Sequence, residues 1–157
     1  MNEACPPGVH RTVVRDLNPS LPPLALDEFK IQQVFIDLFT NALQAMGADG
    51  VLTLRTFRTT QAQAESAGRR RTDRFTPHES VAVVQIDDTG PGILAEHLGK
   101  VFDPFFTTKP TGLGTGLGLS VSRQIVQMHG GSIEIGNRDE GGARVTVTFK
   151  LDNGATV

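Results

Sequence analysis

From Glu28 to Met46 the apolar residues Ile31, Val34, Phe35, Leu38, Ala42, Ala45 and Met46 recur at helical spacing. A helix of this kind carries one broad apolar face, and a second layer has to cover it. Asp27 is placed to cap its start, and Gly47 with the Asp49-Gly50 pair ends it. A second helix is predicted from Thr115 to His129, with Leu117, Val121, Ile125 and Met128 on one side and Gly130 just past its end. His10–Leu17, which alternates weakly, Val51–Phe57, which alternates, the hydrophobic run Val81–Asp87, and Ser132–Gly136 and Ala143–Leu151 read as strands, the last pair joined through Asn137–Gly142 as a hairpin. A short helix is expected within Ile93–Lys100. Strands mixed with long helices point to a two-layer α/β sandwich, α+β in class, with helices on one face of a mixed sheet.

A length of 157 residues suits a single domain, with a core expected over residues 9–151. Apolar residues at 38% leave enough for that core, and no run of 18 apolar residues is present to span a membrane. Met1 to His10 lacks the apolar stretch of a secretion signal, so a cytoplasmic setting is expected. The single cysteine, Cys5, excludes an internal disulfide framework. A net charge of −2 gives no reason to expect nucleic acid as a partner. Arg58 to Glu79 is polar and reads as a long mobile loop. Its Arg69-Arg70-Arg71 run reads as a solvated segment in preference to a docking patch.

The chemistry concentrates in a few segments. Phe102-Asp103-Pro104-Phe105-Phe106-Thr107-Thr108-Lys109 is followed, after five residues, by Thr115-Gly116-Leu117-Gly118-Leu119. An aromatic anchor thus leads into a Gly-rich segment that opens a helix. Gly112, Gly114, Gly116 and Gly118 let backbone N–H groups come close to an anion, and the helix start adds positive potential. A polyphosphate is the expected guest. Lys109 would reach its terminal phosphates as a point charge, against the plainer reading of an exposed loop lysine. The spacing is not the Gly-x4-Gly-Lys of a P-loop, nor a Rossmann turn.

Asp37 and Asn41 stand four apart on the first helix and share a face, extended by Gln33 and Gln44. Oxygen donors of this type suit hydrated Mg²⁺. Taken alone, the stripe reads first as a solvent face. Its freedom from Lys and Glu, between apolar flanks, argues for a cleft wall. Asp88-Thr89-Gly90-Pro91-Gly92-Ile93 follows a hydrophobic strand. A carboxylate there can accept from an exocyclic amine such as that of adenine, although an ordinary Asp/Gly/Pro turn would look similar. His129 at a helix end reads as a dipole partner, and His10, His78 and His97 receive no role.

In order and spacing these segments resemble the catalytic ATP-binding domain of sensor histidine kinases, within the group that includes gyrase, the Hsp90 chaperone and MutL. Asp37-Leu38-Phe39-Thr40-Asn41-Ala42 resembles the N box, and Asp88–Ile93 the first glycine box. Phe102–Lys109 resembles the F box and Gly114–Leu119 the second glycine box. The match resembles the nitrogen-regulation and oxygen-sensing kinases most. It implies a Bergerat-type ATP-binding fold with ATP and Mg²⁺ as cofactors. Asn41 would hold Mg²⁺ and phosphate oxygens, with Asp37 beside it at the metal. Asp88 would accept from the adenine amine, with Gly90 and Gly92 at the ring. Lys109 and the backbone of Gly114, Thr115, Gly116, Leu117 and Gly118 would hold the phosphates under a closing lid.

Two positions depart from the family pattern. The first N-box residue is usually Asn in these kinases and here is Asp37. In the ATPase relatives a Glu at that place is the base for water, so Asp37 would support some hydrolysis or simply add charge at the metal. No Arg lies between Lys109 and Gly114, so Lys109 must supply the lid's positive charge, or a partner's Arg must. The family phosphorylates a histidine on a separate helical hairpin domain, for which residues before 9 leave no room. The chain is therefore expected to be the catalytic part of a longer protein. That protein would be homodimeric through the missing domain, would serve a response regulator, and could be membrane-anchored.

Overall fold

A computed structural model describes residues 8–66 and 75–152. Cys5 and Arg69–Arg71 lie outside the described residues, so the readings made of them stay as expectations. The elements run β1 (His10–Leu17), α1 (Glu28–Met46), β2 (Asp49–Thr60), α2 (Gln61–Ser66), β3 (Ser80–Asp87), α3 (Ala95–Leu98), α4 (Gly118–Met128), β4 (Ser132–Asn137) and β5 (Ala143–Lys150).

The five strands form one sheet in the order β1-β2-β3-β5-β4. β1 and β2 pair in parallel, His10 opposite Asp49 through Leu17 opposite Thr56, with α1 as the connection between them. The other neighbours are antiparallel. The sheet is mixed, as the order of elements requires.

Helix α1 begins at Asp27, whose carboxylate accepts from the Lys30 N–H at 3.1 Å. It buries Val34, Leu38, Ala42 and Met46, one residue per turn. These side chains meet Leu52 of β2, Ile86 of β3, Val126 of α4, Ile133 of β4, and Val147 and Phe149 of β5. Leu38 is 1% exposed. Truncating a leucine so enclosed costs on the order of 2–5 kcal/mol. Both long helices lie on the face of the sheet that carries this core. A smaller cluster of Phe57, Phe75, Val81 and Val83 sits apart from it.

The structure corrects two local expectations. The predicted loop at 58–79 is partly regular: β2 continues to Thr60 because Arg58, Thr59 and Thr60 pair with Ala82, Val81 and Ser80. α2 follows directly, and Phe75 beyond it is buried. Polar composition concealed this strand end, since its backbone is paired whatever its side chains. In α4 the buried residues are Ser122 and Val126, with Leu119 and Ile125 packed beside the core. Of the side expected to be buried, Leu117, Val121 and Met128 are exposed. The helix starts at Gly118, and it is oriented by α1 and β4, which it packs against.

Candidate functional site

Helix α1 forms the spine of the site. Asp37 and Asn41 lie one turn apart on it, and Ala45 one turn further, each step about 6 Å along the axis. Every other segment with chemical potential reaches this line.

At the first turn, Gln33 donates to the Asp37 carboxylate at 3.0 Å. The start of α4 lies alongside, since a Cβ on Gly118 would stand 3.9 Å from that carboxylate. At the second turn, the Lys109 ammonium donates to Asn41 Oδ1 at 3.2 Å. Lys109 in turn lies against Gly114, where a Cβ would stand 2.9 Å from its Cδ. Asp37, Asn41, Lys109, Gly114 and Gly118 are thus brought together from three separate stretches of chain. Thr115 and Leu117 belong to the exposed loop between them, where Thr115 Oγ1 accepts from the Leu117 N–H at 3.3 Å.

The Gly-rich loop is fastened back onto the aromatic segment. The Phe105 N–H donates to the Gly116 carbonyl at 2.8 Å. Phe105 has φ +67°, and Gly116 has φ +69° with room for no side chain, since a Cβ would come within 2.4 Å of the Phe105 carbonyl carbon. The aromatic residues divide unequally. Phe102 packs on the core and takes the Arg123 guanidinium over its ring at 5.1 Å. Phe106 meets His97 edge-on at 5.3 Å between centroids. Phe105 is 74% exposed, so its ring is not part of the aromatic anchor expected of this segment. Its backbone makes the connection instead.

At the third turn, Gly90 packs against α1: a Cβ there would stand 3.1 Å from Ala45 backbone atoms. Asp88 is 6% exposed. Its Oδ1 accepts from the Gly90 N–H at 2.9 Å and from the Ala143 N–H at 3.2 Å. Oδ2 takes no part in these bonds, so it is the oxygen a ligand amine can meet. Gly92 faces the hairpin: a Cβ on it would stand 2.8 Å from Asn137 Oδ1.

Beneath this segment lies Asp87, 1% exposed. Arg144 donates to both its oxygens at 2.7 Å, Arg55 to Oδ2 at 2.8 Å, and Arg138 stands 3.7 Å away. Burial alone would raise this carboxyl. The hydrogen-bonded Arg144, together with the charges of Arg138 and Arg55, holds it below the usual carboxylate range.

His129, read as a dipole partner, lies at the end of α4. Its Nδ1 lies 2.7 Å from the Ile125 carbonyl, and its Nε2 accepts from the Asp27 N–H at 3.1 Å. The residue ties the end of α4 to the cap of α1.

Asn137, Arg138, Arg144 and Arg123 carried no expectation. Hairpin residues were read as a connection, and nothing in their local pattern shows what lies 40 to 60 residues away in sequence but next to them in space.

The donor set fits ATP with Mg²⁺. Among the described residues no group of three or more His, Cys, Asp or Glu side chains could hold a metal. Asp37 and Asn41 match a cation that keeps its waters and takes most of its ligands from substrate phosphates. A recessed carboxylate at one end and a lysine with backbone donors at the other suit a nucleotide with its adenine at Asp88.

The model of the histidine kinase-, DNA gyrase B- and HSP90-like ATPase family matches residues 26–153. The chain is 36% identical over 137 residues to the sensor histidine kinase ZraS of Escherichia coli, covering 86% of this chain and 25% of that protein. It is 37% identical over 128 residues to the sensory histidine kinase/phosphatase NtrB of Rhodobacter capsulatus, covering 82% of this chain and 34% of that one. The chain therefore spans about a quarter to a third of the length of these relatives. Among solved structures, the catalytic domain of histidine kinase ThkA superposes with a TM-score of 0.67 at 29% identity, over 89% of this chain and 78% of the other. The mixed five-stranded sheet with helices is the fold of histidine kinase catalytic domains. With three motif segments converging on the fourth, which α1 carries, and the family match spanning most of the described residues, the chain belongs to the histidine kinase-, DNA gyrase B- and HSP90-like ATPases.

Proposed function

We propose that the chain is the ATP-binding catalytic domain of a two-component sensor histidine kinase, which delivers the γ-phosphate of ATP to a histidine on a separate helical hairpin domain. The observation that carries this reading is the Lys109–Asn41 hydrogen bond, which joins the Gly-rich loop to the helix bearing the candidate metal ligands. ATP supplies the transferable phosphoryl group, and Mg²⁺ offsets its charge. Asn41 and Asp37 would hold the Mg²⁺. Lys109 and the N–H groups from Gly114 to Gly118 would hold the phosphates, and Asp88 Oδ2 would accept from the adenine amine. Transfer of this kind depends on positioning and charge neutralisation, and needs no covalent step on this chain.

The partners follow from the same reading: a phosphoacceptor hairpin domain, a response regulator, and a second copy of the parent through that hairpin. ThkA, a relative in structure at 25% identity, was solved in complex with the response regulator TrrA. No helix among the described residues is long and apolar enough to cross a membrane. We place the domain in the cytoplasm, whether or not its parent is anchored.

The test is phosphorylation of the parent protein with labelled ATP and Mg²⁺. Acid-labile phosphohistidine is expected, abolished by Asn41→Ala. Failure of the chain to bind ATP would overturn the reading.

A self-contained ATPase is the second reading, and the position of Asp37 favours it. Its carboxylate lies beside the start of α4 and is oriented by Gln33, so it could act as base toward water.

A further inference from the structure

The adenine-facing segment Asp88–Ile93 is gripped at both ends by one hairpin, formed by β4, β5 and the turn between them. At the far end, Asn137 donates its amide N–H to the Ile93 carbonyl at 2.7 Å and accepts from the Ile93 N–H at 2.7 Å. The side-chain amide thus stands in for a neighbouring strand and satisfies both backbone groups of a residue outside any strand. At the near end, Arg138 donates from Nη1 to the Asp88 carbonyl at 3.0 Å. The Asp88 N–H donates to the Ala143 carbonyl at 3.0 Å, and the Ala143 N–H donates to the Asp88 carboxylate.

The fit is close enough to exclude a side chain at the turn. A Cβ on Gly142 would stand 1.9 Å from the Asp88 carbonyl oxygen, and Gly142 has φ +85°. Arg138 is itself held from behind. Its Nε is buried without a hydrogen bond and stands 3.7 Å from the Asp87 carboxylate, which Arg55 and Arg144 hold in place.

We propose that Asn137 and Arg138 are positioning residues that set the adenine selectivity of the site, by fixing the Asp88–Ile93 segment so that Asp88 Oδ2 faces the exocyclic amine. In this role neither side chain needs to touch the nucleotide. Arg138 fixes the backbone of Asp88 and so aims its carboxylate. Asn137 fixes the other end, and keeps the intervening Gly90–Gly92 turn from drifting off the ring. The inference rests on the ATP-binding reading, and extends it to residues outside the motif segments.

The test compares ADP with IDP, in which a carbonyl replaces the adenine amine, by calorimetry in the presence of Mg²⁺. The wild-type chain is expected to bind ADP more tightly than IDP by at least about tenfold, because the analogue sets a carbonyl against Asp88 Oδ2 in place of a donor. Asn137→Ala and Arg138→Ala are expected to weaken ADP about tenfold and IDP little, so that the preference collapses toward one. Folding is checked by circular dichroism and thermal melting. Should Asn137→Ala not fold, Asn137→Asp carries the test: it keeps acceptance from the Ile93 N–H, loses donation to the carbonyl, and is expected to give an intermediate preference. Amide exchange at Ile93 should quicken in the same variants.

Folded variants that keep the wild-type ADP/IDP ratio would overturn the inference. So would an equal loss of both nucleotides, which marks a merely structural role. A wild-type chain that binds nucleotide with no preference for ADP would instead overturn the assignment of the adenine site to Asp88, and the inference with it.

Discussion

The Lys109 ammonium meets Asn41 Oδ1 at 3.2 Å, across 68 residues of sequence. The contact brings the lysine that ends the aromatic segment against the helix that carries the candidate metal ligands. No Arg lies between Lys109 and Gly114, so this lysine is the candidate positive side chain of the segment for the proposed phosphate site. Lys109→Met should weaken ATP binding by about tenfold to a hundredfold, the usual cost of losing a hydrogen bond to a charged group. Titration calorimetry with ATP and Mg²⁺ checks this. An unchanged affinity would return Lys109 to an exposed loop lysine.

Asp37 separates transfer from hydrolysis. If the domain serves transfer, Asp37→Asn should leave phosphorylation of the parent's histidine within about threefold, because an amide oxygen can still serve the metal. If Asp37 is a base for water, the isolated chain should release phosphate steadily. Asp37→Asn should then lose that release by about a hundredfold or more. Measuring both activities in both proteins decides between the readings.

Acid should weaken the fold through Asp87. Its carboxyl is held below the usual range in the folded chain, so the folded state favours the ionised form more than the unfolded state does. The resulting stability is present above the unfolded carboxylate value near 4, and is lost as pH falls through the lower folded value. Asp87→Asn should cost about 3 kcal/mol at neutral pH, because Arg144, Arg55 and Arg138 lose their shared counter-charge. It should also flatten the acid limb of a plot of unfolding free energy against pH. A variant whose acid limb matches wild type would remove Asp87 from this role.

His129 links the two long helices through the N–H of Asp27. Its replacement by alanine leaves that N–H without its side-chain partner, at a cost of about 1 kcal/mol. For a chain of this size that is a drop in melting temperature of roughly 2–4 °C. Nucleotide affinity should not change, since the contact lies at the opposite end of α1 from Asp88.

Much of the fold was readable before the structure. Helix α1 and strands β1, β3, β4 and β5 fall within one or two residues of their predicted bounds, because each pairs a clear period with a capping or turn residue. The end of β2 was missed, since paired backbone leaves no mark in polar side chains. The buried stripe of α4 was misjudged, because several stripes of that helix carry apolar residues and only its packing against α1 and β4 selects one. Asp37, Asn41, Asp88 and Lys109 could be named from motif spacing. The contact of Lys109 with Asn41, and the packing of Gly90 beside Asp88 against Ala45 of the same helix, could not.

The sequence by itself determined the main element types and the family, and named the candidate site residues, because local periodicity and short motifs act over a few residues. Tertiary structure decided what surrounds that chemistry. It set Lys109 on Asn41, bonded one oxygen of Asp88 to backbone N–H groups, left the Phe105 ring in solvent, and brought Asn137 and Arg138 behind the Asp88–Ile93 segment. Each of these depends on backbone groups and side chains that lie far apart in sequence, and such pairings are selected by the packing of the whole sheet against its helices.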